Sequence, residues 1–311
     1  MIDAAHGGNG IDVATELGIE NMLDLSASMN PLPVDVKKIV ARHLDAIYFY
    51  PNPTKARDAL AEAIGVESGR VLLTNGGSEA IALVCAELGS GWVNEPDFSL
   101  YKRHLTKLYR GAPLFKSNPH NPTGRLAIDT EKADVWDEAF YPMATGKWTR
   151  GDTDSGSIVV GSLTKLFACP GLRIGYIITP DNDLCTKLEQ RQPLWSLNSL
   201  AAAVLPELLE AVDLPQCASD IALLRRELVD LLKTFGLEPQ DSDANFVLVS
   251  TGPHSTGPHS TGRTLYDALA LLGVLVRDCT NFGLSGCVRI AVPNSNDLLL
   301  LEKALNNVVF Q

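Results

Sequence analysis

Four short patterns carry side chains whose chemistry converges. Ser162-Leu163-Thr164-Lys165 sets an amine among Leu163, Leu166 and Phe167, where loss of water favours the neutral amine and with it imine chemistry. Asp137 follows Val135-Trp136, so its carboxylate is expected at the end of a buried strand, where a charge is costly unless it meets a cation. Asn75-Gly76-Gly77-Ser78-Glu79 reads as a Gly-rich turn opening a helix, whose N–H groups and positive dipole end suit a phosphate. Ser162, and Arg173 within Gly171-Leu172-Arg173-Ile174-Gly175, add a hydroxyl and a guanidinium able to grip the same anion. A phosphate cradle, a buried acid and a desolvated lysine together point to pyridoxal 5'-phosphate as the cofactor.

These patterns, and Asn118-Pro119-His120-Asn121-Pro122-Thr123-Gly124 with them, stand at the ends of short apolar runs. Strand C-terminal ends are where open α/β sheets bind ligands. The runs fall at 71–73, 92–93, 113–115, 135–136, 158–160 and 174–178, and their unbroken apolar character suits a sheet buried on both faces. Helical patterns alternate with them, near 78–88 and 99–109, so the fold class is α/β with a parallel or mixed sheet. From about residue 181 the pattern turns helical, with long segments near 197–211 and 217–235. It then reads strand (244–250), helix (263–273), strand (274–278), strand (286–292) and helix. The expected organisation is an N-terminal arm, or part of the small domain, over 1–45, a cofactor-binding large domain over 46–204 and a smaller α+β domain over 205–311.

Other matches fail for want of partners. His6-Gly7-Gly8 lacks a G-x-S-x-G elbow, and Ser162-x-x-Lys165 lacks the S-D-N and K-T-G of penicillin-interacting enzymes. There is no P-loop, G-x-G-x-x-G or H-E-x-x-H. Thr251-Gly252-Pro253-His254-Ser255 is repeated at 256–260 and reads as a loop lengthened by duplication rather than a metal site. The chain has 311 residues and a net charge of −11, which argues against nucleic acid and anionic membranes as partners. No apolar run reaches the roughly 18 residues that span a bilayer. The first residues lack the build of a secretory signal. Six cysteines without a C-x-x-C pair suit free thiols in the cytoplasm.

The motifs N-P-x-N-P-T-G, D-E-A-F (Asp137-Glu138-Ala139-Phe140) and S-x-x-K…G-x-R-x-G occur in the order found in fold-type I, class I/II aminotransferase-like enzymes, which this chain resembles. The resemblance implies a three-layer large domain with a mixed, mostly parallel sheet, a smaller α+β domain, and a homodimer. It implies that Lys165 binds the cofactor covalently and shuttles protons, and that Asp137 keeps the pyridine nitrogen protonated. Asn121 would bond the ring's phenolic oxygen, and Phe98 would stack on the ring. Gly77, Ser78, Ser162 and Arg173 would hold the phosphate, joined by Tyr50 of the partner subunit.

Within that family, His6-Gly7-Gly8-Asn9, Leu23 to Leu32, Gln192 to Asn198, Arg277 to Phe282 and Arg289-Ile290-Ala291 look like the threonine-phosphate decarboxylases of cobalamin biosynthesis, with histidinol-phosphate aminotransferases as near relatives. A fold member without turnover is a third reading. The resemblance assigns the substrate carboxylate to Arg289 and its phosphate to Arg277, with His6 and Asn30 supporting the pocket. Phe140 stands where many family aminotransferases place a tyrosine, which tilts the reading toward decarboxylation. Family members carry several dozen more residues between Tyr101 and Asn121 and between Gly124 and Asp137. The large domain is therefore expected to be trimmed between 101 and 137, without an edge strand and its covering helices, but with a working site.

Overall fold

The computed structural model describes residues 7–250 and 262–309. Seven strands form the larger sheet: β1 (Val71–Asn75), β2 (Ser90–Val93), β3 (Lys107–Leu108), β4 (Leu114–Ser117), β5 (Val135–Asp137), β6 (Ile158–Ser162) and β7 (Ile174–Ile178). Their order is β1-β7-β6-β5-β4-β2-β3. β7 pairs antiparallel with β1 and β6, and every other pairing is parallel. The register sets Ser117 beside Asp137 and Asp137 beside Val160, so the chemistry-bearing strand ends line up. The helix Gly76–Leu88 buries Ala80, Ile81, Val84 and Cys85 in a core that includes Leu72, Phe115, Val135, Ile158 and Ile177. β7 is buried along its whole length, as its unbroken apolar run requires.

A second, antiparallel sheet holds β8 (Glu238–Pro239), β9 (Phe246–Ser250), β10 (Arg277–Asp278) and β11 (Cys287–Ala291) in the order β10-β11-β9-β8. Its core gathers Leu224, Leu228 and Leu232 with Val247, Leu269, Ile290, Leu301 and Leu305.

The chain forms two compact units: Met1–Leu32, His120–Leu126 and Ser219–Gln311 in one, Pro33–Pro119 and Ala127–Ala218 in the other. These bounds differ from the expected 1–45, 46–204 and 205–311. Helices Val36–Arg42 and Thr54–Ile64 both pack on Ser199–Ala211, and Arg42 pairs with Glu207, which keeps 33–45 and 205–218 in the larger unit. The later boundary falls inside the helix Leu214–Thr234, where hydrophobic rhythm gives no sign of it.

The edge strand expected to be absent is present as the two-residue β3. The helix expected over 99–109 is confined to Leu100–His104. Residues 127–134 contain no helix; the Arg150 Nη2 donates instead to the carbonyls of Ile128, Asp129 and Glu131 at 3.0–3.2 Å. Among the described residues no helix is long and apolar enough to cross a membrane.

Candidate active site

In the larger unit, β1 delivers the chain to the turn at Gly76, whose φ of 77° is costly for any residue with a Cβ. A Cβ there would also stand 2.4 Å from Arg173 Nη2, and one on Gly175 would lie 2.3 Å from the Gly76 carbonyl carbon. The turn is thus packed directly against the guanidinium and against β7. Arg173 itself takes a left-handed φ of 53°. Its Nη1 donates to Pro170 O at 3.2 Å. Ser162 Oγ lies 2.8 Å from Thr164 Oγ1, and a Cβ on Gly77 would come within 3.2 Å of Ser162 Cβ. Glu79 accepts from Asn75 N at 2.7 Å, from Gln192 Nε2 at 3.0 Å and from Ser196 Oγ. That contact fixes the helix start and ties the 192–196 segment to it. Backbone amides at a helix start, two hydroxyls and a guanidinium make a donor set for a phosphate.

Beside this cradle, Asp137 ends β5 and is buried. Its Oδ1 accepts from Ala139 N at 3.0 Å and its Oδ2 from the Tyr101 hydroxyl at 2.9 Å. Burial pushes the Asp137 carboxyl up to about 6, against the two donors and Lys165; nearby Asp97 pushes it further up. Lys165 follows β6 in the turn Leu163–Leu166, half-buried between buried Leu163 and Leu166. Phe98 is half-buried and meets Tyr101 edge-on, with ring centroids 5.8 Å apart.

In the other unit, Arg277 and Arg289 face each other directly across β10 and β11, and both are buried. Like charges opposite one another in a sheet repel, and buried ones more so. Arg289 Nη1 donates to Asn121 Oδ1 at 2.6 Å and Nη2 to Ser26 O at 3.1 Å; the guanidinium lies 4.7 Å from the Phe246 ring centroid. Its Nε is buried without a partner, and no carboxylate among the described residues pairs with it. Burial lowers its pKa to about 10. Arg277 Nη2 donates to Asn281 Oδ1 at 3.0 Å. Asn245 Nδ2 donates to Ser28 O at 2.7 Å and to Met29 O at 3.2 Å, which holds the Leu25–Asn30 segment. Asn30 is buried, and its Oδ1 accepts from Leu32 N at 2.9 Å.

The sequence pattern of the aminotransferase class I and II family matches residues 92–305. The chain belongs to that family. It is 32% identical over 251 residues to the threonine-phosphate decarboxylase of Salmonella typhimurium, covering 65% of this chain and 69% of that one. It is 26% identical to the adenosylcobalamin biosynthesis bifunctional protein CobDQ of Leptospira interrogans, over 98% of this chain but only 41% of that protein's length. The histidinol-phosphate aminotransferase of Sinorhizobium meliloti, solved with pyridoxal 5'-phosphate, matches with a TM-score of 0.83 over 99% of this chain and 95% of that one; at 18% identity that likeness is one of fold.

Class I and II aminotransferase-family members are pyridoxal phosphate enzymes of fold-type I, and this one has their mixed, mostly parallel sheet. The residues present fit the cofactor: the cradle at Gly76, Gly77, Ser162 and Arg173 is a phosphate's donor set, and Lys165 acts electrostatically on the buried Asp137. Gly77, Ser78, Phe98, Asp137, Ser162, Lys165 and Arg173 lie in one unit, and Asn30, Asn121, Arg277 and Arg289 in the other. Tyr50 is exposed, its ring 4.6 Å from that of Trp195. His6 and the 251–260 repeat lie outside the described residues. Sequence reasoning missed Thr164, Tyr101 and Asp97. Thr164 was in plain view inside Ser162-x-Thr164-Lys165. Tyr101 carried a fainter signal, three residues after Phe98 at helical spacing.

Proposed function

We propose that this enzyme decarboxylates a small phosphorylated amino acid, O-phospho-L-threonine first among candidates, as a homodimer. The observation that carries the reading is the buried Arg277–Arg289 pair, with Arg289 lacking a carboxylate partner. Such an arrangement is unfavourable until anions arrive. Two facing guanidiniums suit a substrate with two anionic groups, a carboxylate and a phosphate. The likeness to the threonine-phosphate decarboxylase of Salmonella typhimurium supports the same choice.

When bound, pyridoxal phosphate supplies an electron sink conjugated to the substrate's Cα. Gly77 and Ser78 amides, Ser162, Thr164 and Arg173 would hold its phosphate, and Phe98 would stack on its ring. Asp137 would hold a proton at the pyridine nitrogen, adding a closer cation to the Lys165 that already acts on its buried carboxylate. Asn121, whose Oδ1 accepts from Arg289, would donate from Nδ2 to the phenolic oxygen. Arg289 and Arg277 would take the substrate carboxylate and phosphate, with Asn30 supporting that pocket. The Cα bond that the pocket aligns for cleavage would decide the outcome. With the carboxylate so placed, CO2 leaves and the Lys165 ammonium returns a proton to Cα, giving the phosphorylated amino alcohol. With the Cα–H so placed, the Lys165 amine removes that proton and transamination follows. Phe140 offers no phenol to the ring oxygen, unlike the tyrosine of many family aminotransferases.

The homodimer draws on an exposed apolar surface: Ile47, Tyr48, Phe49 and Tyr50 with Leu194 and Trp195. A contiguous patch of this kind marks an interface, and within it Tyr50 is the residue we assign to the partner's cofactor phosphate.

The test is to incubate holoenzyme with O-phosphothreonine and to measure CO2 against keto product. Stoichiometric CO2 with the amine is expected. Keto-acid acceptance from histidinol phosphate without CO2 would replace this reading with the aminotransferase one.

A further inference from the structure

Asp137 has two neighbours that pull on it in opposite senses. Tyr101 is 1% exposed, and its hydroxyl can reach Oδ2 because the short helix Leu100–His104 turns it inward; its ring is wedged between Phe98 (5.8 Å, edge-on) and Phe115 (5.8 Å, tilted by 36°). The hydroxyl donates to the carboxylate and favours its charged form. Asp97 approaches from another side. Its oxygens accept from Phe98 N at 2.6 Å, Ser117 Oγ at 2.6 Å and Ser117 N at 3.1 Å, a donor set that suits a carboxylate. Ser117 is the residue paired with Asp137 across β4 and β5, so a second buried acid, 3% exposed, is fastened to the strand position next to the first. The remaining charged or titratable groups that act on Asp137 or are acted on by it are Lys165 and the buried Tyr176, with Cys85 acting on Tyr101.

We propose that Tyr101 and Asp97 are opposed positioning residues that set how a proton is shared between Asp137 and the cofactor's ring nitrogen. The inference rests on Asp137 facing that nitrogen, as proposed above. Tyr101 weakens the carboxylate as a base and leaves the proton on nitrogen, where the ring draws electrons best. Asp97 strengthens the carboxylate as a base and draws the proton toward oxygen. Tyr101 also carries the edge of Phe98, so one side chain ties the ring-stacking residue to the ring-nitrogen acid.

The experiment reads the nitrogen itself. Holoenzyme is loaded with pyridoxal phosphate labelled with 15N in the ring, and the 15N resonance is recorded for wild type and the variants Tyr101→Phe, Asp97→Asn, the double variant, and Asp137→Asn. Tyr101→Phe keeps the ring packing and is expected to move the resonance toward the unprotonated position. Asp97→Asn should hold it at or beyond the wild-type protonated position, and in the double variant should bring it back toward wild type. Movement of both single variants in the same direction, as a merely loosened pocket gives, overturns the proposal; so does no movement in Tyr101→Phe. An unmoved resonance in Asp137→Asn would instead mean that Asp137 does not face the nitrogen, which is failure of the underlying reading.

Discussion

Replacing Asp137 by Asn should stabilise the cofactor-free protein, and the gain should grow with pH. The carboxyl lies at about 6 in the folded chain against 3.8 ordinarily. A raised acid holds its proton in the folded state while the unfolded chain has released it, so folding is penalised as pH rises. The penalty is absent below about pH 3.8 and complete above about pH 6, where it amounts to about 3 kcal/mol. Asn never ionises and escapes it. Its Oδ1 can accept from Ala139 N as Asp137 does, and its Nδ2 can donate to the Tyr101 oxygen; the turned-away hydroxyl proton adds a cost that is the same at every pH and so leaves the widening of the gap unchanged. Glu138, pushed up to about 8 by burial, adds its own pH trend to both proteins and cancels in the difference. Urea unfolding of both apoproteins at pH 4.5 and 7.5 should show the stability gap widening by about 2 kcal/mol in favour of Asn. Pyridoxal phosphate should then stabilise wild type more than the variant, because only wild type meets the ring nitrogen with a charge. A gap that stays constant, or narrows as pH rises, would refute the claim that burial without a full counter-charge dominates at Asp137.

Three further substitutions test separate parts of the reading. Arg289→Met removes a buried cation that no carboxylate compensates; the apoprotein should unfold at or above the wild-type temperature in a calorimeter, while KM for phosphothreonine rises at least about 100-fold, as expected for loss of a charge-assisted contact. Gly175→Ala drives a Cβ to 2.3 Å from the Gly76 backbone and should cost about 2 kcal/mol, with weaker pyridoxal phosphate binding by fluorescence titration; unchanged affinity would separate the Gly76 turn from the phosphate. Trp195→Asp places a charge in the exposed patch that includes Tyr50 and should shift sedimentation from dimer to monomer without unfolding the chain.

What the sequence disclosed about this site, and what it withheld, follows from how far each contact reaches along the chain. Lys165, Ser162 and Arg173 lie within a dozen residues of one another around one antiparallel pairing, β6 with β7, so local motif order exposed them together. The strand pattern was equally legible, because strands buried on both faces leave unbroken apolar runs such as 158–160 and 174–178. Asp97 and Tyr101 act on Asp137 from 40 and 36 residues away, through the register that sets Ser117 beside Asp137 and through a short helix that ends at His104. No spacing rule along one chain encodes such a contact. The same reasoning recasts the short stretch between 101 and 137. Its edge is the two-residue β3, and the contacts that set Asp137 come from the first turn after Phe98 and from the end of β4. Trimming beyond those points leaves the buried Asp97–Tyr101–Asp137 cluster complete. The acid that the proposed chemistry requires is thus set by contacts that β3 does not supply.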